Sequence, residues 1–388
     1  MWAISPLFGR GLEGSTMDDL LKYQIGISLI KGIGPVLARN LIAYVGGVEA
    51  VFRESVKNLS AIPGIGTVIA SSIKKAKVLN RAEEEINFIE KHNITPYFFT
   101  SNRYPRKLSF CEDAPLMLYV KGDATFEMRP VLSIVGTRRA TDTGKILCEQ
   151  FVKDLSERYP DVLIVSGLAY GIDICAHKAA LKYGLDTVAV VAHGLDRIYP
   201  YIHRNVAKEM IDSGGAVLTE FMSGTNPDRY NFVQRNRIVA GLSDAVVVVE
   251  SGAKGGALIT ARIASSYNRD VLAFPGNPQD EVSKGCNYLI KKNVAALIES
   301  VDDLEYALGW ESKINRGEEA TQRKLFTEFS SENEKLIYTI LTEEKEITAS
   351  ELCIKSHLPV SMVNALLLNL EFAGLVKALP GNAFRVLM

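Results

Sequence analysis

The sequence has few cysteines, and none of them belongs to a motif. Its five cysteines are scattered without a C-x-x-C pair, which favours reduced thiols in a cytoplasmic protein over disulfides or a zinc site. Long apolar runs are also missing, so neither a membrane-spanning segment nor a membrane partner is expected. Residues 1–17 lack the cationic start and apolar run of a signal peptide and are predicted to be a disordered tail.

Neither a charge excess nor a familiar nucleotide motif marks the chain. The formal net charge is −1, so a surface for nucleic acid would have to be local. No Walker A sequence occurs, and Gly136-Thr-Arg-Arg139 follows the first predicted core strand where a dinucleotide-binding fold has G-x-G-x-x-G. The second core strand ends in Ser166 where that fold has an acidic ribose ligand. A dinucleotide is therefore not expected, and no cofactor and no metal are predicted.

The length of 388 residues predicts two or three domains, and the first, residues 18–99, has a helical pattern. The segments Ile30–Arg39 and Ile62–Ser71 resemble each other, and each carries Gly-Ile-Gly between apolar stretches. Glycine permits a tight turn there, and the free N–H groups that begin the next helix can hold a phosphate. The pattern is typical of a tandem helix-hairpin-helix (SAM-like) domain. It is equally compatible with a domain that only packs and does not contact DNA.

Residues 100–310 are predicted to form an α/β core, with an irregular connector over residues 100–130. Short apolar strands alternate there with helices, which indicates a doubly wound, parallel, Rossmann-like sheet. The predicted core strands are Val131–Val135, Val162–Ser166, Thr187–Ala192, Ala216–Thr219, Ala245–Val249, Val271–Phe274 and Ala295–Ile298. The predicted core helices are Thr143–Arg158, Ile172–Tyr183, Arg204–Asp212, Ala257–Tyr267 and Lys284–Lys292.

A polar stretch over residues 311–330 has the composition of a linker. Residues 331–388 follow with three helical segments and a hairpin, which is the plan of a winged-helix domain. The third helical segment, Ser361–Ala373, lies where such domains have the helix that contacts DNA, but it contains no lysine or arginine. We therefore predict that this domain is not the main contact with DNA.

The loops that follow the predicted parallel strands are rich in glycine and in cations. They include Gly136–Arg139, Ser166–Asp173 and Glu250–Gly256, and Arg235 and Arg237 stand just before the fifth core strand. Carboxyl ends of parallel strands share one edge of a sheet, and glycine lets the backbone approach a ligand there. These loops together predict a phosphate-binding site. A lone glycine or arginine of this kind would more often serve only the turn or the solvated surface.

Carboxylates and a histidine near the strand ends have two possible roles. Asp173 and His177 lie four residues apart on one predicted helix and would suit an acid–base pair. No nucleophile stands nearby, and a pair that braces the start of a helix is the more common case. Glu220 and Glu250 are interpreted as residues that order the glycine loops.

Several segments resemble the DNA processing protein A family, also called DprA or Smf. They are Ser166-Gly-Leu-Ala-Tyr-Gly-Ile-Asp173, Gly194-Leu-Asp196 with Tyr199-Pro200 and Asn205, Arg235-Asn-Arg237, Gly256-x-Leu-Ile-Thr260, and Phe274-Pro-Gly276 with Ser283-Lys-Gly285. The resemblance spans about residues 20–388. It implies a cytoplasmic, homodimeric, non-enzymatic protein that binds single-stranded DNA and loads the RecA recombinase during natural transformation.

The resemblance also implies site residues. The arginine of the family's Gly-x-Arg motif is Arg138 here, and the predicted DNA-binding set is Gly136, Arg138, Arg139, Ser166, Gly167, Gly171, Lys208, Arg235, Asn236, Arg237, Lys254, Gly255 and Gly256. The predicted dimer surface comprises Tyr288, Ile290 and Leu297.

An enzyme is the alternative hypothesis, because nucleotide phosphoribohydrolases have a similar sheet and glycine loop. Those enzymes carry a catalytic glutamate after Gly-Gly-x-Gly-Thr. In this chain Gly255-Gly256 is followed by Ala-Leu-Ile-Thr-Ala-Arg262, which contains no carboxylate. The sequence therefore favours a DNA-binding protein over a nucleotide-hydrolysing enzyme.

Overall fold

The computed structural model describes residues 17–127, 129–310, 331–344, 347–373, 375–379 and 383–386. The chain forms two compact units, Met1–Trp310 and Glu311–Met388. The predicted linker, residues 311–330, lies outside the described residues, as does the predicted tail except for Met17, which begins the first helix. Among the described residues, none of the helices is both long enough and apolar enough to cross a membrane.

Six helices open the first unit and share one apolar core. In that core Ile25, Leu41 and Ile73 are fully or almost fully buried. Gly32 (φ 88°) and Gly64 (φ 83°) make the left-handed turns that precede the second and fifth helices, a conformation that residues with a Cβ rarely adopt. The helix-hairpin-helix prediction is confirmed here. The helices are α1 (Met17–Ser28), α2 (Pro35–Val45), α3 (Val48–Arg53), α4 (Val56–Ser60), α5 (Thr67–Lys75) and α6 (Leu79–Lys91).

A nine-stranded sheet forms the centre of the first unit. Its strands are β1 (Thr95–Phe98), β2 (Met117–Gly122), β3 (Val131–Val135), β4 (Leu163–Ser166), β5 (Thr187–Val190), β6 (Ala216–Thr219), β7 (Ala245–Val248), β8 (Asp270–Ala273) and β9 (Ala296–Leu297). The order is β1-β2-β6-β5-β4-β3-β7-β8-β9. Strands β3 to β9 run parallel, whereas β2 is antiparallel to both β1 and β6. The predicted doubly wound, mostly parallel sheet is confirmed.

Helices cover both faces of the sheet because the strand residues alternate between two cores. Leu132 and Ile134 of β3 pack in one core, while Val131 and Val135 pack in the other. The helices are α7 (Arg106–Ser109), α8 (Asp142–Arg158), α9 (Ile172–Lys182), α10 (Arg204–Asp212), α11 (Arg229–Leu242), α12 (Gly256–Ser266), α13 (Lys284–Lys291) and α14 (Val301–Leu308). Helices α8 and α9 cover the first core, and α11 and α12 cover the second.

Some elements of the fold were not predicted from the sequence. Helix α11, which carries Arg235 and Arg237, is buried on almost every side after Arg237 and therefore lacks the amphipathic pattern of a surface helix. Strand β1 and helix α14 were not predicted either. Strand β1 lies within the range 18–99 that was assigned to the helical domain, yet it pairs with β2 in the central sheet.

The second unit has three helices and a small antiparallel sheet. The helices are α15 (Glu332–Glu344), α16 (Ala349–Ser356) and α17 (Val360–Phe372); the strands are β10 (Ile347–Thr348), β11 (Val376–Leu379) and β12 (Ala383–Val386), in the order β10-β12-β11. Thr348 caps α16 in a reciprocal arrangement with Glu351. Leu341, Leu352 and Leu370 are fully buried in its core. The winged-helix prediction is confirmed.

Candidate functional site

A pocket of about 840 Å³ lies at the carboxyl end of the parallel sheet, between the loops that follow β3 and β7. Strand β3 is the point where the order reverses, since β4 to β6 extend on one side and β7 to β9 on the other. A crevice forms at such a point because the two connections leave in opposite directions. The first turns of α11 supply the remaining wall, with Asp228, Arg229 and Phe232.

Glu250 fixes the loop that follows β3. The backbone carbonyl of Glu250 accepts a hydrogen bond from the Thr137 N–H (2.7 Å). Its carboxylate accepts from both the backbone N–H (2.9 Å) and the hydroxyl (2.7 Å) of Thr141. The Thr141 oxygen in turn accepts from the Gly144 N–H and caps α8. These bonds hold the loop that carries Arg138 and Arg139 in one conformation, so the prediction that Glu250 orders this loop agrees with the geometry.

Exposed cations surround the mouth of the pocket. Arg138, Arg139 and Lys254 line it and are exposed to solvent. The guanidinium of Arg138 lies 4.7 Å from the ring centroid of Phe232, within the range of a cation–π contact. A planar cation stacked on an aromatic ring suits a ligand with both phosphates and flat bases.

A buried arginine forms the floor. Arg235 is 4% exposed, and its Nη1 donates to the carbonyl of Val190 (2.6 Å). Burial lowers the pKa of Arg235 to about 10, so the guanidinium remains charged at neutral pH. Gly167 lies directly against it, and a Cβ at that position would overlap Nη1. Burial raises the pKa of the neighbouring Asp173, and the positive charges of Arg235 and Arg138 oppose that rise.

His177 does not face the pocket. It is fully buried, and its Nδ1 lies 2.7 Å from the Thr187 hydroxyl. That hydroxyl donates its own proton to the Ile164 carbonyl (2.9 Å), so the histidine must donate through Nδ1. Burial lowers the pKa of His177 to about 3 and keeps the ring neutral. The arrangement is that of a helix brace, and it does not support an acid–base pair.

The structure brings most of the predicted DNA-binding residues to this pocket. Those that line it are Gly136, Arg138, Arg139, Gly167, Arg235, Asn236, Lys254, Gly255 and Gly256. The contribution of each to binding stays a prediction.

The structure places four predicted residues outside the lining of the pocket: Ser166, Gly171, Lys208 and Arg237. Ser166 is buried, and its hydroxyl donates to the Ile134 carbonyl (2.6 Å). Gly171 packs against the backbone of Thr137 behind the lining. Lys208 points from α10 and pairs with Asp212 (2.6 Å).

Arg237 corrects the prediction most clearly. It lies two positions after Arg235 on α11, is buried, and pairs with the carboxylate of Glu220. Its Nη1 donates to the Asp113 carbonyl (2.7 Å). Glu220 therefore binds Arg237 and does not order a glycine loop.

Sequence reasoning missed the aromatic part of the site. Phe232 and Tyr199 both line the pocket, with ring centroids 5.9 Å apart. Tyr199 belongs to one of the family motifs, but no role was predicted for it or for Phe232. The signal that would have found Phe232 is its place one helical turn before Asn236, which only a helix prediction for α11 would have revealed.

The predicted dimer residues lie on α13 and on β9, at one edge of the sheet. Tyr288 and Leu297 are 41% and 47% exposed. Ile290 is partly buried and packs against the core under α11 and α12. In the helix-hairpin-helix module, Arg39 is engaged with the Ala114 carbonyl (3.2 Å), whereas Lys31 is exposed.

Comparisons with known proteins give consistent matches over the chain. The family model described as DNA recombination-mediator protein A matches residues 95–309. A SAM-like helix-hairpin-helix tandem matches residues 27–76, and a DprA winged-helix domain matches residues 330–382. Protein Smf of Synechocystis is 33% identical over 94% of this chain and 98% of its own length.

Solved structures agree with these matches. The structure of DNA processing protein A from Streptococcus pneumoniae superposes with a TM-score of 0.62 at 30% identity, over 75% of this chain and 97% of its own. That of DNA processing protein A from Helicobacter pylori, whose description concerns its mode of binding single-stranded DNA, gives 0.50 at 29% identity, over 55% and 95%.

Proposed function

Because the chain belongs to the DNA recombination-mediator protein A family, we propose that it binds single-stranded DNA in the pocket between the loops that follow β3 and β7. The observation that carries the proposal is the combination of exposed cations with an aromatic ring at the mouth of one crevice. The description of the Helicobacter pylori relative as a protein that binds single-stranded DNA supports the same ligand.

The chemistry of the pocket favours binding without sequence preference. Arg138, Arg139 and Lys254 offer charged donors to phosphates, and backbone N–H groups at the start of α12 have no side-chain cap. Phe232 offers a ring on which any base can stack. An exposed base is needed for that stacking, and a duplex buries its bases. We therefore expect a preference for single strands.

A titration of labelled oligothymidylate, followed by fluorescence anisotropy at several salt concentrations, tests the proposal. Arg138→Ala should weaken binding and lower the slope of log K against log salt by about 0.7, the value of one phosphate contact on a single strand. Arg103→Ala removes an exposed arginine of the connector and serves as the control. Equal affinities and slopes for wild type and Arg138→Ala would refute the assignment of the pocket.

We also propose a role in recombination. The resemblance of the chain to its family implies a cytoplasmic mediator that protects incoming strands and loads the RecA recombinase in natural transformation. A DNA strand-exchange reaction tests this with strands pre-coated by a single-strand-binding protein. The wild type should restore exchange by RecA, and Arg138→Ala should not. Failure of the wild type to stimulate exchange would limit the function to DNA binding.

A homodimer through the β9 edge belongs to the same proposal. Strand β9 has an unpaired outer edge in the sheet order, and both of its residues are exposed. Leu297 and Tyr288 place apolar surface beside that edge. Exposed edges and apolar groups of this kind are commonly covered by a second chain.

We propose that the protein is not an enzyme. A nucleotide-hydrolysing activity would need a free carboxylate in the pocket. Glu250 is already bonded to Thr141, and Asp173 is buried beside Arg235. Asp228 lines the pocket, but its carboxylate caps the N-terminus of α11. Incubation with nucleoside monophosphates decides the matter, because release of free base would establish the hydrolase in its place.

A further inference from the structure

An exposed aromatic surface continues out of the pocket along the segment that follows β5. Tyr199, at the rim, is 44% exposed, and Tyr201, two residues further on, is 73% exposed. Two residues of backbone span at most about 7 Å, so the Cα atom of Tyr201 lies within that distance of the Cα atom of Tyr199. Tyr170 is 48% exposed on the loop after β4. Large exposed rings beside a binding pocket are a common form of interaction surface.

The rings rest on a rigid support. Tyr170 packs edge-on against His203, with ring centroids 5.1 Å apart at 66°. His203 is buried, and its Nδ1 lies 2.8 Å from the Leu168 carbonyl, within the loop whose Gly167 and Ala169 line the pocket. The loop after β4 and the segment before α10 are thereby fixed to each other. A ligand that stacks on these rings would not have to order them first.

A cation accompanies the outermost ring. Arg204, the first residue of α10, donates from Nη1 to the Tyr201 hydroxyl (3.3 Å), and its guanidinium lies 5.9 Å from the centre of that ring. The side chain is exposed. Lys208 follows one helical turn later on the same face, although Asp212 neutralises it. An exposed ring and an adjacent arginine reproduce the pairing of Phe232 with Arg138 inside the pocket.

We propose that a single strand leaving the pocket continues over the exit strip, which we define as Tyr170, Tyr199, Tyr201 and Arg204. Bases of the outgoing strand stack on Tyr201, and one phosphate contacts Arg204. The inference rests on the proposed function of the pocket and extends its footprint to longer strands. Alternation of stacking rings with cations is how proteins follow single strands regardless of sequence.

Affinities for short and long oligothymidylates test the exit strip. A three-nucleotide strand is the probe of the pocket alone, and a twenty-nucleotide strand is long enough to reach beyond it. Tyr201→Ala should weaken binding of the twenty-mer by about fivefold or more, which is the effect of losing one stacked base, and leave binding of the trimer unchanged. Arg204→Ala should lower the salt slope of the twenty-mer alone, by about 0.7. Tyr201→Phe keeps the ring and should bind as the wild type does.

Two control variants make the result specific. Tyr306→Ala removes a tyrosine that is 92% exposed on α14, and it should have no effect. Ile202→Ala removes the apolar side chain next to Tyr201 in the sequence. That side chain is 73% exposed but has no ring to stack on a base, so its loss should leave the affinity unchanged. Loss of affinity in Ile202→Ala equal to that in Tyr201→Ala would show an apolar docking surface in place of a stacking surface, and would overturn the proposal.

The remaining outcomes separate the exit strip from the pocket. If Tyr201→Ala weakens binding of the trimer as much as that of the twenty-mer, the change acts through the pocket and the strip is not a separate contact. If it weakens neither, the strip does not bind DNA. If wild type and Arg138→Ala bind both strands equally, the proposed function of the pocket fails, and with it the basis for the strip.

Discussion

Gly167 allows Arg235 to reach the floor of the pocket. The residue lies so close to the guanidinium that a methyl group there would overlap Nη1, and Arg235 cannot retreat because it is bonded to the Val190 carbonyl. Glycine is thus required at position 167 because the Arg235 side chain leaves no room for a Cβ atom, and not because the backbone makes a turn there. The position of a buried positive charge depends on one missing Cβ.

We expect Gly167→Ala to lower the free energy of unfolding by about 1–3 kcal/mol, the usual cost of overpacking, and to weaken single-strand binding. Urea denaturation and the oligothymidylate titration measure the two effects. Gly255→Ala is the matched control for stability, because its new Cβ would lie 3.6 Å from its nearest neighbour, Ser251 Oγ. Equal stability of the two variants would contradict the role given to Gly167.

His177 predicts an acid sensitivity. Its pKa is about 3 in the folded chain and 6.5 in a free side chain. Between these two pH values the histidine is therefore protonated in the unfolded state and neutral in the folded state. The contribution to stability is complete above about pH 6.5 and is lost as the pH falls toward 3. Between pH 7 and pH 5 the loss amounts to about 2 kcal/mol.

Urea denaturation at both pH values checks this prediction. The wild type should lose that stability, and His177→Gln should lose about 2 kcal/mol less over the same interval, whatever its stability at pH 7. Identical pH dependence in the two proteins would show that the histidine is protonated, or exposed, in the folded state.

At the scale of elements, the proposed dimer would form at the exposed edge of β9. Ile290, one of the residues predicted for that surface, packs against the core, so a charge there would unfold the chain as well as separate a dimer. Leu297 is the better test position because it is 47% exposed on the edge strand itself.

We expect Leu297→Asp to give a monomer in light scattering that keeps the circular dichroism spectrum of the wild type. The charge would stand unpaired in the interface, and burial of an unpaired charge is costly. Tyr306→Asp adds the same charge at an exposed position of α14 and should leave the dimer intact. A Leu297→Asp variant that remains dimeric would move the interface away from β9.

Much of the fold could be predicted because its strands are short apolar runs bounded by glycines. Strands β3 and β6 lie where the sequence placed them, residue for residue. Helix α11 could not be found by periodicity, since the sheet and neighbouring helices bury it around most of its circumference. The pocket was predictable only in part. Its loops follow recognisable strands and could be located, whereas the directions of the Arg235 and Arg237 side chains depend on helix α11, which was not predicted.

At the scale of the whole molecule, charge is distributed unequally between the two units. Residues 332–388 contain seven acidic and five basic residues. Helix α17 has no lysine or arginine, and its exposed positions include Met362, Leu368 and Phe372. Phosphate contacts supply most of the affinity in non-specific DNA binding, and this surface has no cation to make them.

We therefore expect a chain that ends at Trp310, the end of the first unit, to retain its single-strand affinity within about tenfold, or roughly 1.4 kcal/mol. Anisotropy titrations on single-stranded and duplex oligonucleotides measure the effect. An Arg138→Ala variant of the same truncated chain should bind more weakly still. A larger loss on truncation alone would make the second unit a primary contact.

The strand order also affects how the protein folds while it is being synthesised. Strand β3 lies between β4 and β7, and β7 follows only after β4, β5, β6 and their helices have been made. One side of β3 therefore stays unpaired while the ribosome synthesises three further strands, and closing so long a loop is slow. Unpaired apolar strands attract other chains. A fragment that stops at Ser243 should aggregate, and refolding of the intact first unit should yield more at low concentration or with a chaperone that shields that strand.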